Sequence, residues 1–244
     1  MSPFLLIFMK RIHFEEIDST NSYIKREYSN LDNLTFVSTS FQSEGHGRYS
    51  RKWYSNKGEN IMFSYLIKDI NIINHFSYVS MFSAALVVKY LENKGLKNVT
   101  IKWPNDVYVN DKKICGMLLE GIIPSYVVVG IGVNLNQTSF NDNELRHAAT
   151  SVKLEMPDVL FDAHKETDEI INIFSSFWYS FNGNWNDFDD FIKSHNYLLN
   201  KKVMVETVST SIEGVVVDID SQCNLIVDTG LETLKINSGE VKIL

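Results

Sequence analysis

The chain has only two cysteines in 244 residues, Cys115 and Cys223, and they stand far apart in the sequence. That spacing gives no disulfide framework and no thiolate metal cluster, so both are expected to be buried, reduced thiols. No His/Cys set has the short spacings of a zinc site. No apolar run approaches the roughly 18 residues that a membrane-spanning helix needs. The apolar start, Met1 to Phe8, is short, and Lys10-Arg11 follow it rather than precede it. It lacks a small-residue cleavage site and fits a signal peptide poorly. An edge strand, or extra residues ahead of a start at Met9, is the plainer reading, and the cytoplasm is the expected compartment. Basic charge is also scarce: the formal net charge is −7. A broad nucleic-acid surface needs clustered Lys and Arg, so DNA is not an expected partner. Neither the phosphate-binding loop ending in Gly-Lys-Ser/Thr nor the dinucleotide fingerprint is present. There is no internal repeat and no low-complexity segment.

What basic charge there is gathers in two places. Gly45-His46-Gly47-Arg48-Tyr49-Ser50-Arg51-Lys52-Trp53 packs two glycines, two arginines, a lysine and a tryptophan into nine residues. Glycines let backbone N–H groups turn toward an anion, arginines offer bidentate phosphate contacts, and an indole offers a face for a base. Lys102-Trp103-Pro104-Asn105-Asp106, with Lys112 and Lys113 shortly after, forms the second cluster. Together they read as a focused anion pocket in an acidic protein.

The pattern around these clusters is mixed. Asp18-Ser19 stands where a helix cap would, ahead of Asn21 to Tyr28. Residues 34–41 and 61–67 read as strands that enter and leave the glycine loop, and 76–91 keeps helical spacing with Gly95 as its stop. Val107-Tyr108-Val109, Asn110-Asp111 and Lys113 to Leu119 read as a hairpin, and 126–135 as a further strand. Ile170, Phe174, Phe177, Trp178 and Phe181 mark a second amphipathic helix, with Thr167 as its expected N-cap and Gly183 beyond its end. From about Leu198, short Val/Ile-rich runs at 203–208, 212–219, 224–228 and 233–236 read as a small β-barrel. A chain of 244 residues at 44% hydrophobic content is ample for a packed core.

The motifs, taken in order, resemble the biotin protein ligases. Asp18-Ser19-Thr20-Asn21, the loop at 45–53, "KWPND" with "KKICGMLLE", and Gly130-Ile131-Gly132-Val133-Asn134-Leu135-Asn136 match that family's signatures from about residue 18 to 136. The resemblance implies an α+β fold: a central mixed β-sheet flanked by helices, similar to class II aminoacyl-tRNA synthetases, with a small SH3-like C-terminal β-barrel. The expected domains are 1–196, catalytic, and 197–244.

It also implies an activity and a site. ATP with Mg²⁺ would activate biotin as biotinyl-5′-AMP, and a lysine of a carboxylase biotin-carrier domain would then take the biotin. Lys113 matches the lysine that contacts both carboxylate and phosphate. Ser19, Thr20, Asn21 and Gln42 match the polar wall for the ureido group; such groups suit a neutral urea with one acceptor and two donors. Gly45, His46, Gly47 and Arg48 match the ligand loop, and Gly116 would let backbone approach the bicyclic ring. Arg48 and Arg51 are the expected phosphate partners, Trp53 covers the adenine, and Asn134 reads its edge. Asp106 is a candidate to orient Lys113 or Lys102, or to hold Mg²⁺ with the phosphates. Lys201 and Lys202 are possible carrier contacts on the C-terminal unit.

Two positions depart from the family's loop pattern: His46 stands where arginine is common, and Ser50 replaces the last glycine. Like charges among His46, Arg48, Arg51, Lys52 and Lys57 are expected to hold the empty loop open. A lipoate or octanoate ligase is the alternative enzyme, although that group lacks the paired "GHGR" and "KWPND" motifs. A regulator that senses the adenylate is the alternative of another class; with motifs beginning at residue 18, no room is expected for a helix-turn-helix.

Overall fold

The computed structural model describes residues 9–73, 75–140 and 148–244. The expectation for Met1 to Phe8 lies outside the described residues. Seven strands form one sheet: β1 (Arg11–Phe14), β2 (Phe36–Thr39), β3 (Asn60–Ile67), β4 (Val99–Lys102), β5 (Asp106–Val109), β6 (Lys112–Ile122) and β7 (Tyr126–Asn134). Their order is β1-β2-β3-β7-β6-β5-β4; β1 and β2 run parallel and the remaining neighbours antiparallel, so the sheet is mixed.

The helices are α1 (Thr20–Glu27), α2 (Ile70–Ile73), α3 (Phe76–Asn93), α4 (Val152–Glu155), α5 (Ala163–Ser180) and α6 (Asp189–Ser194). They cover both faces of the sheet, and strand alternation sorts what each face holds. Ile61, Phe63, Tyr65 and Ile67 of β3, with Val127, Val129, Ile131 and Val133 of β7, join the large core under α3 and α5. Leu66 and Val128 point the other way, into a smaller core with Ile24 of α1. Each large side chain so buried contributes about 1.5–3 kcal/mol. The even-numbered positions Asn60, Met62, Ser64, Gly130, Gly132 and Asn134 therefore share the α1 face.

Most helix boundaries follow the sequence. Ser19 caps α1 and accepts from the Ser22 N–H, and Gly95, whose φ is 100°, follows the end of α3. In the β5–β6 hairpin, Asn110 and Asp111 both take positive φ, the mirror-image turn that suits the twist of antiparallel strands. The expected cap at Thr167 is corrected. Asp162 caps α5, accepting from the N–H groups of His164 and Lys165. Thr167 lies inside the helix and donates its hydroxyl proton to the Ala163 carbonyl. The first turn of α5 is polar, so apolar spacing alone did not reveal it.

The C-terminal unit holds β8 (Lys202–Glu206), β9 (Ser211–Ile219), β10 (Leu225–Asp228), β11 (Thr233–Ile236) and β12 (Glu240–Ile243), in the order β11-β10-β9-β8-β12. The expected small SH3-like unit takes the form of an antiparallel sheet that is not closed: among the described residues, β11 and β12 are its two edges. The fifth strand, β12, had no counterpart in the expected runs. This sheet is not a separate bead. Val203, Val205, Val216 and Leu225 join the large core, and Trp103 donates its indole N–H to the Cys223 carbonyl at 2.9 Å.

Both cysteines are buried. Burial raises each thiol's pKa, that of Cys223 to about 12 with help from the charges of Asp189 and Asp220, so neither is a nucleophile at neutral pH. No described helix is long and apolar enough to cross a membrane.

Candidate active site

One pocket on the α1 face gathers Thr20, Gln42, Arg48, Trp53, Lys113 and Asn134, with Ser19, Asn21, His46, Gly47, Arg51, Asp106 and Gly116 also on its wall. Gly45 is not on that wall; its carbonyl accepts from the Trp53 N–H at 2.9 Å.

A shift in strand register explains how Lys113 comes to be there. Gly116 pairs with Asp106 and Cys115 with Val107, but Lys113, not Ile114, pairs with Tyr108. Ile114 is an extra residue, a β-bulge, and both Ile114 and Cys115 go to the core. Strict alternation would have sent Lys113 there too; the bulge turns it onto the pocket face. Its backbone is held on the other side by residues 148–150, through Lys113 N–H to Ala148 O and Thr150 N–H to Lys113 O. The ammonium then lies 2.7 Å from Asp106 Oδ1, an ion pair rather than an aligned hydrogen bond. Of the two lysines considered for Asp106, the structure selects Lys113. Lys102 is buried and donates to the Tyr108 hydroxyl at 3.3 Å.

At one end of the pocket the polar groups are buried or half-buried and already connected. Gln42 Oε1 accepts from the Thr20 N–H at 2.8 Å and lies 3.1 Å from the Thr20 hydroxyl. The same hydroxyl is 2.6 Å from Ser64 Oγ, which donates to Asn21 Oδ1. Asn21 Nδ2 donates to Glu120 Oε2 at 2.9 Å, and Lys25 donates to Glu120 Oε1 at 2.7 Å. Burial acts to raise the Glu120 carboxyl, but hydrogen bonds from Lys25 and Asn21, with the charges of Lys25 and His46, outweigh it and set its pKa below the ordinary value. Sequence reasoning missed Ser64 and Glu120. Their signal was strand phase: Ser64 is two residues from Met62 and Leu66, on the same face.

The other end is built on the glycine loop. Trp53 lies flat against the sheet: a Cβ on Gly132 would stand 2.5 Å from its ring, and one on Gly116 would meet the ring at 3.3 Å and Lys113 Nζ at 3.0 Å. Gly116 thus makes room for Lys113 and Trp53. Tyr49 takes φ 57° at the loop's tip. Two of the loop charges have partners outside the loop. Arg48 bonds to Asn105 Oδ1 and the Gly239 carbonyl, and Arg51 pairs with Glu240. Asn105 in turn donates to the Met117 carbonyl at 2.6 Å, which ties the loop to β6.

Asn134 lines the pocket, and its Nδ2 donates to the Thr150 carbonyl at 2.9 Å, so that half of its amide is already engaged. Lys201 lies 3.2 Å from the Tyr197 ring centroid and Lys202 pairs with Glu213. The C-terminal unit reaches the pocket through Glu240 and Val241.

One pocket thus combines a hydrogen-bonding end and a cationic loop, with Lys113 on the wall they share. Residues 13–135 match the Biotin/lipoate A/B protein ligase family, and residues 198–244 match the Biotin protein ligase C terminal domain. The chain belongs to the biotin/lipoate A/B protein ligase family. Among curated relatives it is 33% identical over 129 residues to the Bifunctional ligase/repressor BirA of Bacillus spizizenii, an alignment that covers 51% of this chain and 40% of that protein. The chain thus spans about 40% of the length of the first relatives it matches. Against the Biotin--[acetyl-CoA-carboxylase] ligase of Mycobacterium tuberculosis it is 24% identical over 219 residues, 87% of this chain and 80% of the other. Its fold is similar to the biotin protein ligase from Aquifex aeolicus in complex with biotin and ATP, with a TM-score of 0.81, 27% identity, and 97% and 99% of the two chains covered.

Proposed function

We propose that this protein is an ATP-dependent biotin protein ligase, with a catalytic domain over 1–196 and a C-terminal domain over 197–244. The observation that supports the reading is Lys113, which the bulge turns onto the same pocket wall as Thr20, Gln42 and the arginine loop. A carboxylate and an α-phosphate repel, and a fixed ammonium between them offsets that repulsion where charge builds up in the transition state.

In the first step a carboxylate oxygen of biotin attacks the α-phosphorus of ATP. The bond to the bridging oxygen breaks, and pyrophosphate leaves with the bonding pair. In the second step the ε-amine of a carrier-domain lysine attacks the acyl carbon of biotinyl-5′-AMP, AMP departs, and the amine gives up a proton. Ser19, Thr20, Asn21 and Gln42 would hold the ureido group, aided by the backbone of Gly45, His46 and Gly47. Lys113, steadied by Asp106, and Arg48 would contact the reacting anions. Arg51 would bind phosphate, with Trp53 and Asn134 at the adenine. Mg²⁺ would arrive with ATP and supply charge neutralisation on the phosphates. Among the described residues no group of three or more His, Cys, Asp or Glu could cage a metal ion. Magnesium held by one carboxylate and substrate phosphates needs no such cage, and Asp106 would be that carboxylate.

The second matched domain favours biotin over lipoate, because its description is specific to biotin protein ligases. The partner would be a carboxylase carrier domain in the cytoplasm, with no DNA contact expected at a net charge of −7. Incubation with MgATP, a carrier domain and either biotin or lipoate tests this by intact mass. One biotinyl group gained on the carrier supports the reading. No gain with biotin, or transfer of lipoate instead, overturns it.

A further inference from the structure

The Thr20–Gln42 end of the pocket holds a directed chain of hydrogen bonds that begins at a charge. Lys25 of α1 stands 2.7 Å from Glu120 Oε1 of β6, and Asn21 Nδ2 donates to Glu120 Oε2 at 2.9 Å. Ser64 Oγ donates to Asn21 Oδ1 at 2.6 Å, and Thr20 Oγ1 lies 2.6 Å from Ser64 Oγ. Thr20, Asn21 and Ser64 are buried; Thr20 and Asn21 line the pocket, whereas Ser64 and Glu120 stand behind it. Gly130 of β7 leaves the space that Asn21 fills, since a Cβ there would collide with Oδ1. The Asn21 amide is therefore fixed in place, and only its orientation is left to choose.

The chemistry of each group makes that choice. An ionised carboxylate only accepts, so Asn21 must turn its NH₂ to Glu120, and the same NH₂ reaches the Leu118 carbonyl at 3.3 Å. Oδ1 then faces Ser64 and takes its one hydroxyl proton. Ser64 has only lone pairs left to offer Thr20. The single Thr20 proton is thus committed inside the wall, to Ser64 Oγ or to Gln42 Oε1 at 3.1 Å. Either way, Thr20 Oγ1 keeps acceptor capacity and no proton for a ligand. Gln42 is oriented as well: its Oε1 accepts from the Thr20 N–H at 2.8 Å, which makes Nε2 its donating end.

We propose that Glu120 is a positioning residue that sets the hydrogen-bond polarity of the ureido wall, so that Thr20 accepts from a ligand N–H and Gln42 donates to its carbonyl. The inference rests on the function proposed above and assigns the donors and acceptors of that site. Glu120 acts through Asn21 and Ser64, without lining the pocket itself. A urea presents two donors and one acceptor, which such a wall complements. A ligand with an acceptor in place of that N–H would set lone pair against lone pair, and a site built around a hydrogen bond strongly rejects the analogue that lacks it. Lys25 has a part too. Because an ammonium only donates, it dictates which end a neutral amide at position 120 would show to Asn21.

Glu120→Gln in the full chain should therefore invert the relay. The new amide turns its oxygen to Lys25 and its NH₂ to Asn21, which flips the Asn21 amide and frees the Thr20 proton to reach a ligand. Adding Lys25→Met removes the donor, so the amide at 120 can show its oxygen to Asn21 and restore the original direction. Calorimetry without ATP compares biotin with its two cyclic carbamate analogues, in each of which one ureido N–H is replaced by oxygen. In the wild type, one of the two analogues is expected to bind about a hundredfold or more weaker than biotin. That ratio should fall about tenfold in Glu120→Gln and return to within about threefold of wild type in the double variant. Each ratio is measured on one protein, so a loss of folded protein cancels. An unchanged ratio in Glu120→Gln, or a lowered ratio that Lys25→Met does not restore, overturns the proposal; a purely structural Glu120 would weaken biotin and both analogues alike. A wild type that binds biotin and both carbamates equally overturns this inference alone. One that binds none of the three overturns the functional reading along with it.

Discussion

The two ends of the pocket are built by opposite means. At the Thr20–Gln42 end, the polar groups stand on α1 and on sheet strands, are mostly buried, and bond to one another through Ser64, Asn21 and Glu120. At the loop end, Arg48 and Arg51 are tied to a second domain by groups that a charged ligand can replace. A buried network is costly to leave half-satisfied, so it is rigid and recognises one arrangement of donors and acceptors. A partly exposed ion pair contributes little by itself and can be exchanged at small cost. The first design suits selection of a neutral head group; the second suits capture and release of a polyanion.

Lys113 joins the two ends, and removing it should produce the largest effect. Lys113→Gln is expected to slow adenylation by about a hundredfold, on the order of 3 kcal/mol in the barrier. Circular dichroism should show an intact fold, since the Lys113 ammonium is not in the core. Pyrophosphate release by the variant at the wild-type rate would remove Lys113 from the chemistry.

The next effect separates the ends. Gln42→Ala removes the acceptor of the Thr20 N–H and a wall of the neutral pocket. The Thr20 N–H is left without its acceptor, and loss of such a partner costs about 1–3 kcal/mol, so the dissociation constant for biotin should rise roughly tenfold. Calorimetry with biotin alone reads this directly, and ATP affinity should change much less. If ATP and biotin weaken together, the two ends are not separable.

Arg48→Gly should show the converse with a smaller effect. Its guanidinium bonds to the Asn105 side-chain amide, the Gly239 carbonyl and the Tyr49 hydroxyl. Biotin capture should be nearly retained, while biotinyl-5′-AMP escapes several-fold faster and labels bystander lysines. Equal adenylate release from variant and wild type would count against a role for Arg48 in retention.

How far the sequence disclosed all this follows the same division. Local features read well: the Ser19 cap, the Asn110-Asp111 turn, the long buried strands of β3 and β7, and the helix from Phe76. Each rests on residues adjacent in the chain. What stayed hidden depends on register and on distant partners. The bulge at Ile114 cannot be read from alternation, because Lys112-Lys113-Ile114-Cys115 fits either phase until β5 is paired. Ser64 and Glu120 read as ordinary strand positions, and β12 is four residues of mixed charge and apolar character at the chain's end. Loop repulsion was a sound inference from like charges in sequence, but it omitted Glu240, nearly two hundred residues away.

Acid sharpens the comparison by the smallest margin. Glu120 belongs to the buried end, and its folded pKa lies below the ordinary value of 4.5. A depressed carboxylate adds stability that is fully present above the unfolded pKa and is lost as pH falls through the folded one. The network's contribution should therefore hold at neutral pH and fade only below about pH 4.5. Glu120→Gln cannot ionise, so its melting temperature should show a shallower fall over that acid window than the wild type. Because Asn21 bonds to Glu120 and to Ser64, biotin affinity should follow the same window in the wild type. Parallel acid profiles for the two proteins would show that the Glu120 charge does not hold the neutral end together.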